Sequence, residues 1–338
     1  MARQIQDRCI LYDDMARNLT ASQQAAKKRP ILIARTAQAL GVDEMRASEL
    51  LSMGRRQSFR LNTLKGAGQV ELDELRAAGW DGERYDWIEE GYNIASESGQ
   101  RAVRDSVQFA DGRVYIQNAA SWLPVVLLDA QPGQSVLDVC AAPGGKTSHV
   151  AARTSNGVRI TANDNSRARL AKLQANCRRL GAEVADYTLF DGRQLANRLE
   201  DRGGYDRILL DAPCSGEGMM RLDNDKDFET WSVAQIKRLQ QLQRKLLVQS
   251  WRLLKPGGTL VYSTCTMAPE ENEQVVDYAL RRLEDIELQP ITMKLDNRVA
   301  AVCRWNGKQL DDRLAGVLRL MPSRDIEAFF VCVLRKAG

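Results

Sequence analysis

Two cysteines of this 338-residue chain stand in contexts that suggest chemistry. Cys214 lies within the string DAPCSGEG at 211–218, and Cys265 lies within YSTCT at 262–266. Each string follows a short apolar run rich in β-forming residues, so each cysteine is expected where a strand ends. If the two strands are parallel neighbours, both sulfur atoms meet at the edge of the sheet where open α/β folds keep their active sites. Two thiols at one edge favour covalent catalysis.

A second feature is the run VLDVCAAPGGKT at 136–147, which reads as a strand, a turn of small residues and the start of a helix. Small residues let a ligand approach the backbone closely, and the first turn of a helix offers unpaired N–H groups. The run matches neither G-x-x-x-x-G-K-[ST] nor G-x-G-x-x-G, because Pro143 interrupts the glycine spacing. It therefore predicts a ligand site but gives weak support for a phosphate.

Three acidic residues are expected at the ends of neighbouring strands. Asp164, 26 residues after Asp138, stands where the ribose hydroxyls of a nucleotide-type ligand are held, although it could instead cap the helix that begins near Ser166. Asp191 could accept a hydrogen bond from an adenine amino group. Asp211 precedes a Pro-Cys turn and could hold the amino and ring-nitrogen edge of an aromatic heterocycle. Three such positions together favour a nucleotide-like ligand.

The cysteine pair is suited to the chemistry of a pyrimidine ring. Carbon 5 of a pyrimidine is too poor a nucleophile to attack a methyl donor, but addition of a thiolate at carbon 6 turns the ring into an enamine that can. A base must then remove the proton from carbon 5, and the thiol must leave. The residues leave this base open among Cys214, Asp211 and a held water molecule.

The elements that would position these residues alternate between strands and helices from about residue 114. Strands are predicted at 135–140, 159–163, 186–190, 207–210 and 259–263, and helices are predicted to start near Gly144, Ser166, Ser232 and Pro269. Helices between successive strands indicate βαβ units and a parallel sheet. The run at 327–335 is predicted to be a late strand that inserts antiparallel.

The chain before this region predicts two further units. Residues 1–52 have apolar positions at the helical period, and 53–113 read as a small α+β module in the order βαββ, which leaves 114–338 as the main domain. The overall charge of +4 is uneven, because residues 1–66 carry a net charge of +6. A basic N-terminal part favours a polyanionic partner, with solvated helix faces as the equally open alternative.

Composition narrows the class of protein. The chain is 44% hydrophobic and 27% charged, with no apolar run near the roughly 20 residues that span a bilayer and no apolar centre of a signal peptide. Its seven cysteines include no C-x-x-C pair, and His149 is the only histidine, so we expect no metal site. Cys177 and Cys332 lie in apolar periodic segments and are expected to be small core residues. These features predict an intracellular, cytoplasmic protein with reduced thiols and no membrane partner.

Taken together, these strings resemble those of the Nop/Sun-type RNA (cytosine-5) methyltransferases, which include RsmB- and RsmF-like rRNA enzymes. The resemblance rests on CAAPGGKT, DAPCSGEG and YSTCT in this order, with SFRLNTLK and VYIQNAAS upstream, and it spans roughly residues 53–335. It implies a Rossmann-like class I methyltransferase sheet, preceded by a helical segment and an RNA-recognition-like α+β module. The string at 326–330 reads IEAFF, where relatives usually have a glycine before the two aromatic residues.

The resemblance also assigns roles to residues. It implies Cys265 as the nucleophile and Cys214 in product release. The residues themselves predict that Asp211 positions the cytosine. It implies that S-adenosylmethionine lies over the loop at 140–146. The cofactor-binding residues are then Cys140, Ala141, Ala142, Pro143, Gly144, Gly145, Lys146, Asp164, Arg169, Asp191 and Asp211.

The expected product is 5-methylcytidine in RNA, with rRNA favoured over tRNA, and the expected state is a monomer. Phosphate contacts are predicted for Arg55, Arg56, Arg60 and Lys65. One alternative is a DNA cytosine-5 methyltransferase, whose nucleophile would be the Pro-Cys cysteine, and the order of the strings disfavours it. Another is a non-catalytic RNA-binding factor of ribosome assembly, which would not need both cysteines and all three acidic residues.

Overall fold

The computed structural model describes residues 20–338 and begins with two helices. Helix α1, Ala21–Leu40, has a capping box in which the Thr20 hydroxyl accepts from the backbone of Gln23, and it ends at Gly41 in the left-handed conformation. Helix α2, Glu44–Ser52, begins at the cap residue Asp43. The helical prediction is confirmed for these ranges, and its part at 1–19 lies outside the described residues.

A small α+β module follows, as predicted. Its three strands form an antiparallel sheet in the order β2-β1-β3. Its elements are β1 (Gln57–Leu61), α3 (Gln69–Ala77), β2 (Gly91–Ile94), α4 (Glu97–Arg104), α5 (Val107–Ala110) and β3 (Val114–Ile116). Phe59, Trp80 and Tyr92 pack together in a core of its own, with ring centroids 5.1 to 5.6 Å apart. The boundary predicted at residue 113 thus falls just before the third strand of this sheet.

The remainder of the chain forms a nine-stranded sheet flanked by helices. The first half of this region comprises α6 (Leu123–Leu128), β4 (Ser135–Asp138), α7 (Gly145–Arg153), β5 (Arg159–Asn163), α8 (Arg167–Leu180), β6 (Asp186–Thr188), α9 (Leu195–Leu199) and β7 (Tyr205–Asp211). The second half comprises α10 (Asp227–Thr230), α11 (Val233–Leu253), β8 (Leu254–Thr264), α12 (Glu273–Leu280), β9 (Ile286–Gln289), β10 (Arg298–Val299), β11 (Arg304–Trp305), β12 (Lys308–Gln309), β13 (Leu318–Leu320) and β14 (Phe329–Lys336).

The strand order of this sheet is β10-β13-β14-β8-β7-β4-β5-β6, with β9 also paired to β14. Strands β4 to β8 are parallel to one another, and β14 lies antiparallel to β8. This confirms the parallel sheet and the late antiparallel strand. The chain winds from β4 to β6 in one direction and returns to β7 on the other side of β4, which places a crevice at the carboxyl ends of β4 and β7.

Two apolar cores cover the two faces of the sheet. Helices α7 and α8 pack on one face, and α9, α11 and α12 pack on the other. Cys177 and Cys332 are fully buried in these cores, which confirms that they are small core residues. Among the helices of residues 20–338, none combines the length and the apolar composition that crossing a bilayer would require.

Candidate active site

The two cysteines meet at the edge of the sheet. Cys214 follows β7 and Cys265 follows β8, and because Asp211 pairs with Ser263 in the sheet the two loops leave it side by side. The two sulfur atoms are 3.4 Å apart. The hydrogen bond to Cys265, together with burial, raises the pKa of the Cys214 thiol well above its usual value. Cys214 therefore stays protonated and can donate its S–H to the Cys265 sulfur.

The buried carboxyl group of Glu271 holds the Pro-Cys turn in place through hydrogen bonds. Oε2 of Glu271 accepts a hydrogen bond from the backbone N–H of Ser215 at 2.9 Å and another from Nε2 of Gln243 at 2.8 Å. The same amide of Gln243 donates to the carbonyl oxygen of Pro213 at 2.9 Å. Burial raises the pKa of Glu271 to about 7, although both hydrogen bonds oppose the rise. Glu271 was not predicted from the sequence, yet it fixes the backbone on both sides of Cys214.

The loop after Cys214 is also tied to the backbone of Cys265. The backbone N–H of Gly218 donates to the carbonyl oxygen of Cys265 at 2.9 Å. A β-carbon on Gly218 would lie 2.3 Å from the carbonyl oxygen of Ala328 and 2.7 Å from that of Cys265, so only glycine fits. The carboxyl group of Glu217 accepts from the indole of Trp231 at 3.1 Å and the hydroxyl of Thr266 at 3.2 Å.

Asp211 is held at the end of β7 by two donors. Ser263 donates to Oδ1 at 2.8 Å, and Lys146 donates to Oδ2 at 2.7 Å. Although burial opposes it, the charge of Asp211 raises the pKa of the Lys146 ammonium group, which therefore stays charged. Lys146 was predicted as a cofactor residue. The structure turns its ammonium group towards Asp211 and the cysteine side of the site.

A cavity of about 330 Å³ lies beside this pair, between the turn after β4 and the segment that follows β3. Its size falls in the range of small-molecule sites. Seven of the predicted cofactor residues line it, and Gly144, Asp164, Arg169 and Asp191 do not. The lining residues are Tyr115, Ile116, Gln117, Asn118, Ser121, Asp138, Cys140, Ala141, Ala142, Pro143, Gly145, Lys146 and Asp211.

The cavity contains acceptors that suit a ligand with polar hydrogens. Oδ1 of Asp138 and Oε1 of Gln117 are buried and have no hydrogen-bond partner among residues 20–338, while Oδ2 of Asp138 accepts from Thr147 at 2.7 Å. Burial raises the pKa of Asp138 to about 7, and the nearby charge of Asp211 adds to the rise. A bound ammonium or hydroxyl group would satisfy these oxygens. The cavity therefore fits S-adenosylmethionine, which carries both kinds of donor.

Asp138 and Gln117 were missed as candidate site residues. Asp138 is the last residue of β4 and Asp211 is the last residue of β7, so the same strand-end argument applies to Asp138. Gln117 lies close to the start of α7, since a β-carbon on Gly145 would be 3.1 Å from its Nε2. This contact joins the small module to the turn after β4, and no local sequence signal predicts it.

Besides Gly144, three predicted cofactor residues lie outside the cavity lining. Asp164 is buried, accepts from the backbone of Ser166 at 3.0 Å and lies 3.4 Å from Arg169. Arg169 also donates to the carbonyl oxygen of Ala142 at 2.8 Å, so it supports the turn of small residues. Asp191 is paired with Arg193 at 2.6 Å. Their contacts with the cofactor stay predictions.

The four predicted phosphate contacts have different environments. Arg60 is fully buried, where it donates to the Ser148 hydroxyl at 2.8 Å, so the prediction that it contacts RNA is wrong. Its place in a strand facing α7 explains the burial. Arg55 donates to the carbonyl oxygen of Gly218, and Arg56 is 3.2 Å from Asp325. Lys65 is exposed.

The six cysteines of the described chain are all free thiols. No group of three or more His, Cys, Asp or Glu side chains between residues 20 and 338 is arranged to hold a metal ion.

The doubly wound sheet, the ligand cavity beyond β4 and the thiol pair beyond β7 and β8 place this protein among the Rossmann-like methyltransferases. Comparison with known families is more specific. Residues 125–335 match the model of the family described as 16S rRNA methyltransferase RsmB/F. The chain belongs to this family, of the Nop/Sun type, as the sequence strings predicted.

Individual relatives support the assignment. The chain is 38% identical over 283 residues to the tRNA (cytosine(49)-C(5))-methyltransferase of Pyrococcus abyssi, with 83% of this chain and 88% of the relative covered. It is 38% identical over 288 residues to the ribosomal RNA small subunit methyltransferase F of Klebsiella pneumoniae, with 84% of this chain but only 58% of the relative covered. The crystal structure of a methyltransferase homolog protein from Pyrococcus horikoshii has a TM-score of 0.73 at 32% identity, with 91% and 99% of the two chains covered.

Proposed function

We propose that this protein transfers a methyl group from S-adenosylmethionine to carbon 5 of a cytidine in RNA, with Cys265 as the covalent nucleophile. The observation that carries the proposal is the 3.4 Å separation of the Cys214 and Cys265 sulfur atoms beside Asp211. Relatives named as RNA cytosine and ribosomal RNA methyltransferases support the substrate class. The target is ribosomal RNA or transfer RNA.

The residues divide the reaction as follows. Cys265 adds its sulfur to carbon 6 of the cytosine and its proton passes to ring nitrogen 3, which makes carbon 5 nucleophilic, while the Asp211 carboxylate accepts hydrogen bonds from the amino group and from that protonated nitrogen. Lys146 and Ser263 fix the Asp211 carboxylate in place. When bound, S-adenosylmethionine supplies the electrophilic methyl group. A base, Asp211 or a held water molecule, then takes the proton from carbon 5. The electron pair left behind forms the double bond between carbon 5 and carbon 6 again and expels the sulfur of Cys265, to which Cys214 can donate its proton.

The cavity would hold the methyl donor. Asp138 and Gln117 offer unpaired oxygens for its polar hydrogens, and the small residues of the turn at 141–145 let it approach the backbone. Because both cysteines must be reduced thiols for this chemistry, the proposal places the enzyme in a reducing compartment such as the cytoplasm.

Two cysteine variants test the covalent mechanism. Cys265→Ala should abolish methyl transfer, because no nucleophile remains. Cys214→Ala should instead accumulate a covalent protein–RNA adduct, visible as a slower band on a denaturing gel that nuclease removes. An adduct formed by Cys265→Ala would contradict the assignment, because the Pro-Cys cysteine would then be the nucleophile, as in the DNA enzymes.

The substrate class is tested in cells. Bisulfite sequencing of total rRNA and tRNA, from cells with and without the gene, should show a cytidine whose resistance to conversion disappears with the gene. No change in either RNA pool would contradict the proposed substrate. Binding of RNA without methyl transfer to any RNA would favour the non-catalytic alternative.

A further inference from the structure

Two buried side chains next to the cysteines keep polar atoms without partners. Glu327 is only 4% exposed, and its Oε1 has no hydrogen-bond partner among the described residues. Nε and Nη2 of Arg55 are likewise buried and unpaired within this part of the chain. A buried donor or acceptor without a partner is unfavourable, so native structures rarely keep one without a reason. An unpaired acceptor and two unpaired donors lie on one side of the site.

The Arg55 side chain and the backbone next to Glu327 both lie close to the backbone around Cys265. Arg55 donates through Nη1 to the carbonyl oxygen of Gly218, whose own N–H donates to the carbonyl oxygen of Cys265 at 2.9 Å. The backbone of Ala328, next to Glu327, also lies close to Gly218. Its carbonyl oxygen would be 2.3 Å from a β-carbon added to Gly218. In the sheet, Phe330 pairs with Thr264, so the chain just before β14 runs beside the chain just after β8. Glu327 and Arg55 thus flank the nucleophile.

Their electrostatics point to a polar ligand edge. Burial raises the pKa of Glu327 to about 7, and the positive charges of Arg55 and Lys146 oppose the rise. No hydrogen bond joins Nε or Nη2 of Arg55 to Oε1 of Glu327, because all three atoms lack a partner within the described chain. A group that both donates and accepts hydrogen bonds would satisfy both residues. Cytosine has such an edge, with an amino group at carbon 4 and a carbonyl oxygen at carbon 2.

Asp211 alone cannot accept both hydrogens of the cytosine amino group, so a second acceptor is needed. Each of its oxygens already accepts one hydrogen bond, from Ser263 and from Lys146. The cytosine amino group carries two hydrogens, and Asp211 can take only one of them in the plane of the base. The other hydrogen needs an acceptor on another residue, and Glu327 has a free one.

We propose that Glu327 and Arg55 select cytosine over uracil, with Glu327 accepting a hydrogen bond from the cytosine amino group and Arg55 donating to the carbonyl oxygen at carbon 2. Uracil carries an oxygen in place of the amino group. This oxygen would face the oxygen of Glu327, and two acceptors form no hydrogen bond. A site built to pair a polar group rejects an analogue that lacks it far more strongly than an apolar site does. This inference rests on the proposed function and adds to it the residues that choose the base.

The test uses the full chain and two synthetic RNAs that carry the mapped target sequence and differ only in cytidine or uridine at the target position. Methyl transfer is measured as 5-methylcytidine and 5-methyluridine by mass spectrometry. Glu327→Gln should lower kcat/KM on the cytidine RNA roughly tenfold to a hundredfold, since one buried hydrogen bond is lost. Because an amide can donate to the uracil oxygen, the ratio of cytidine to uridine methylation should fall at least about tenfold.

Two further variants separate selection from folding. Asp325→Asn removes a neighbouring, partly exposed carboxylate paired with Arg56 and should leave the ratio as in the wild type. Glu327→Asp keeps the carboxyl group on a shorter side chain, so it should lose rate on cytidine while still rejecting uridine. If Glu327→Gln does not fold, the rates of Glu327→Asp on the two RNAs still test whether Glu327 selects cytosine.

The outcomes distinguish a failure of base selection by Glu327 and Arg55 from a failure of the proposed methyltransferase function. If Glu327→Gln is folded and keeps the wild-type ratio, the selection proposal is wrong. The same holds if Glu327→Gln and Arg55→Gln lower the melting temperature equally with an unchanged ratio, which would indicate that both side chains only stabilise the fold. If the wild-type enzyme methylates neither RNA, the proposed function itself fails, and base selection fails with it.

Discussion

At the scale of single residues, this active site depends on groups whose proton affinities are set by burial. Cys214 is kept as a thiol by Cys265 and by burial, and Glu271 beneath it favours its protonated form. A carboxyl group that is half protonated near pH 7 can support the Pro-Cys turn in either form. The stability of the turn then depends on pH, and the direction follows from the pKa shift.

Glu271→Gln should therefore make the unfolding free energy depend less on pH between about 4 and 7. The folded protein holds the Glu271 proton more tightly than the unfolded chain does, because its pKa is raised to about 7. Its contribution is fully present below the unfolded pKa near 4 and is lost as the pH rises through 7. Relative to the wild type, the variant should gain up to about 1.4 kcal/mol in unfolding free energy per pH unit within this window.

Chemical denaturation between pH 4.5 and 8 measures the difference. Asp138 and Glu327 titrate in the same range, but they are present in both proteins and cancel. Glu49→Gln, at an exposed position in α2, is the matched control and should follow the wild type. Parallel profiles for Glu271→Gln and the wild type would contradict the prediction.

At the scale of elements, the strands of the βαβ region were predictable and the short strands near the end of the chain were not. The alternation of strands and helices predicted β4 to β8 with their parallel order, and the apolar run at 327–335 predicted β14. Strands β9 to β13 were missed because two to four residues are too few to show a period. Helix α12 begins at Glu273, four residues later than predicted, because the chain first turns at 269–272.

The site shows the same limit. The cysteines and Asp211 were predictable because strand ends meet at one edge of a sheet. Asp138, Gln117, Glu271 and Glu327 were not, because their importance arises from burial next to distant parts of the chain. Only the packed structure shows which polar atoms lack partners.

The loop between Cys214 and Met219 is predicted to tolerate no side chain at Gly218. In Gly218→Ala the new β-carbon would meet two backbone carbonyl oxygens, which cannot rotate away, so the loop or the strand end must move. Small misplacements of reacting groups cost up to about a hundredfold in rate, so we expect kcat to fall by at least about tenfold. Gly54→Ala, where no atom lies within 4 Å of the added carbon, should keep the wild-type rate. Equal rates for the two variants would contradict the prediction.

At the scale of the whole molecule, much of the positive charge of the N-terminal part is used internally. Lys28 donates to the carbonyl oxygen of Phe228, and Arg29 is paired with Asp225, so α1 is fastened to the segment that follows the Pro-Cys loop. Arg35 is buried against Glu270 at 2.8 Å. From the sequence, this charge was explained either by RNA binding or by solvated helix faces. Hydrogen bonds and ion pairs that basic side chains could form within the protein were not considered. A basic stretch in sequence does not identify a basic surface.

Lys65 is the predicted phosphate contact that the fold leaves most exposed. It lies beside Gly181 at the end of α8, where a β-carbon would be 3.4 Å from its Cε, and Arg178 is exposed one turn earlier in that helix. A lysine that contacts a phosphate releases counterions when RNA binds, so each such contact adds to the salt dependence of the affinity. We therefore expect Lys65→Gln to weaken binding equally for cytidine and uridine RNAs.

The slope of log Kd against log salt concentration measures this contact directly. In Lys65→Gln the slope should decrease by about 1, because one phosphate contact is lost, while kcat at saturating RNA stays at the wild-type value. Arg46→Gln is the matched control, since Arg46 is equally basic but is paired with Glu49 on the surface of α2. If the two variants have the same slope as the wild type, RNA does not cross the face formed by Lys65 and α8. A lower kcat with an unchanged slope would instead show that Lys65 acts on the site through the packing of the small module.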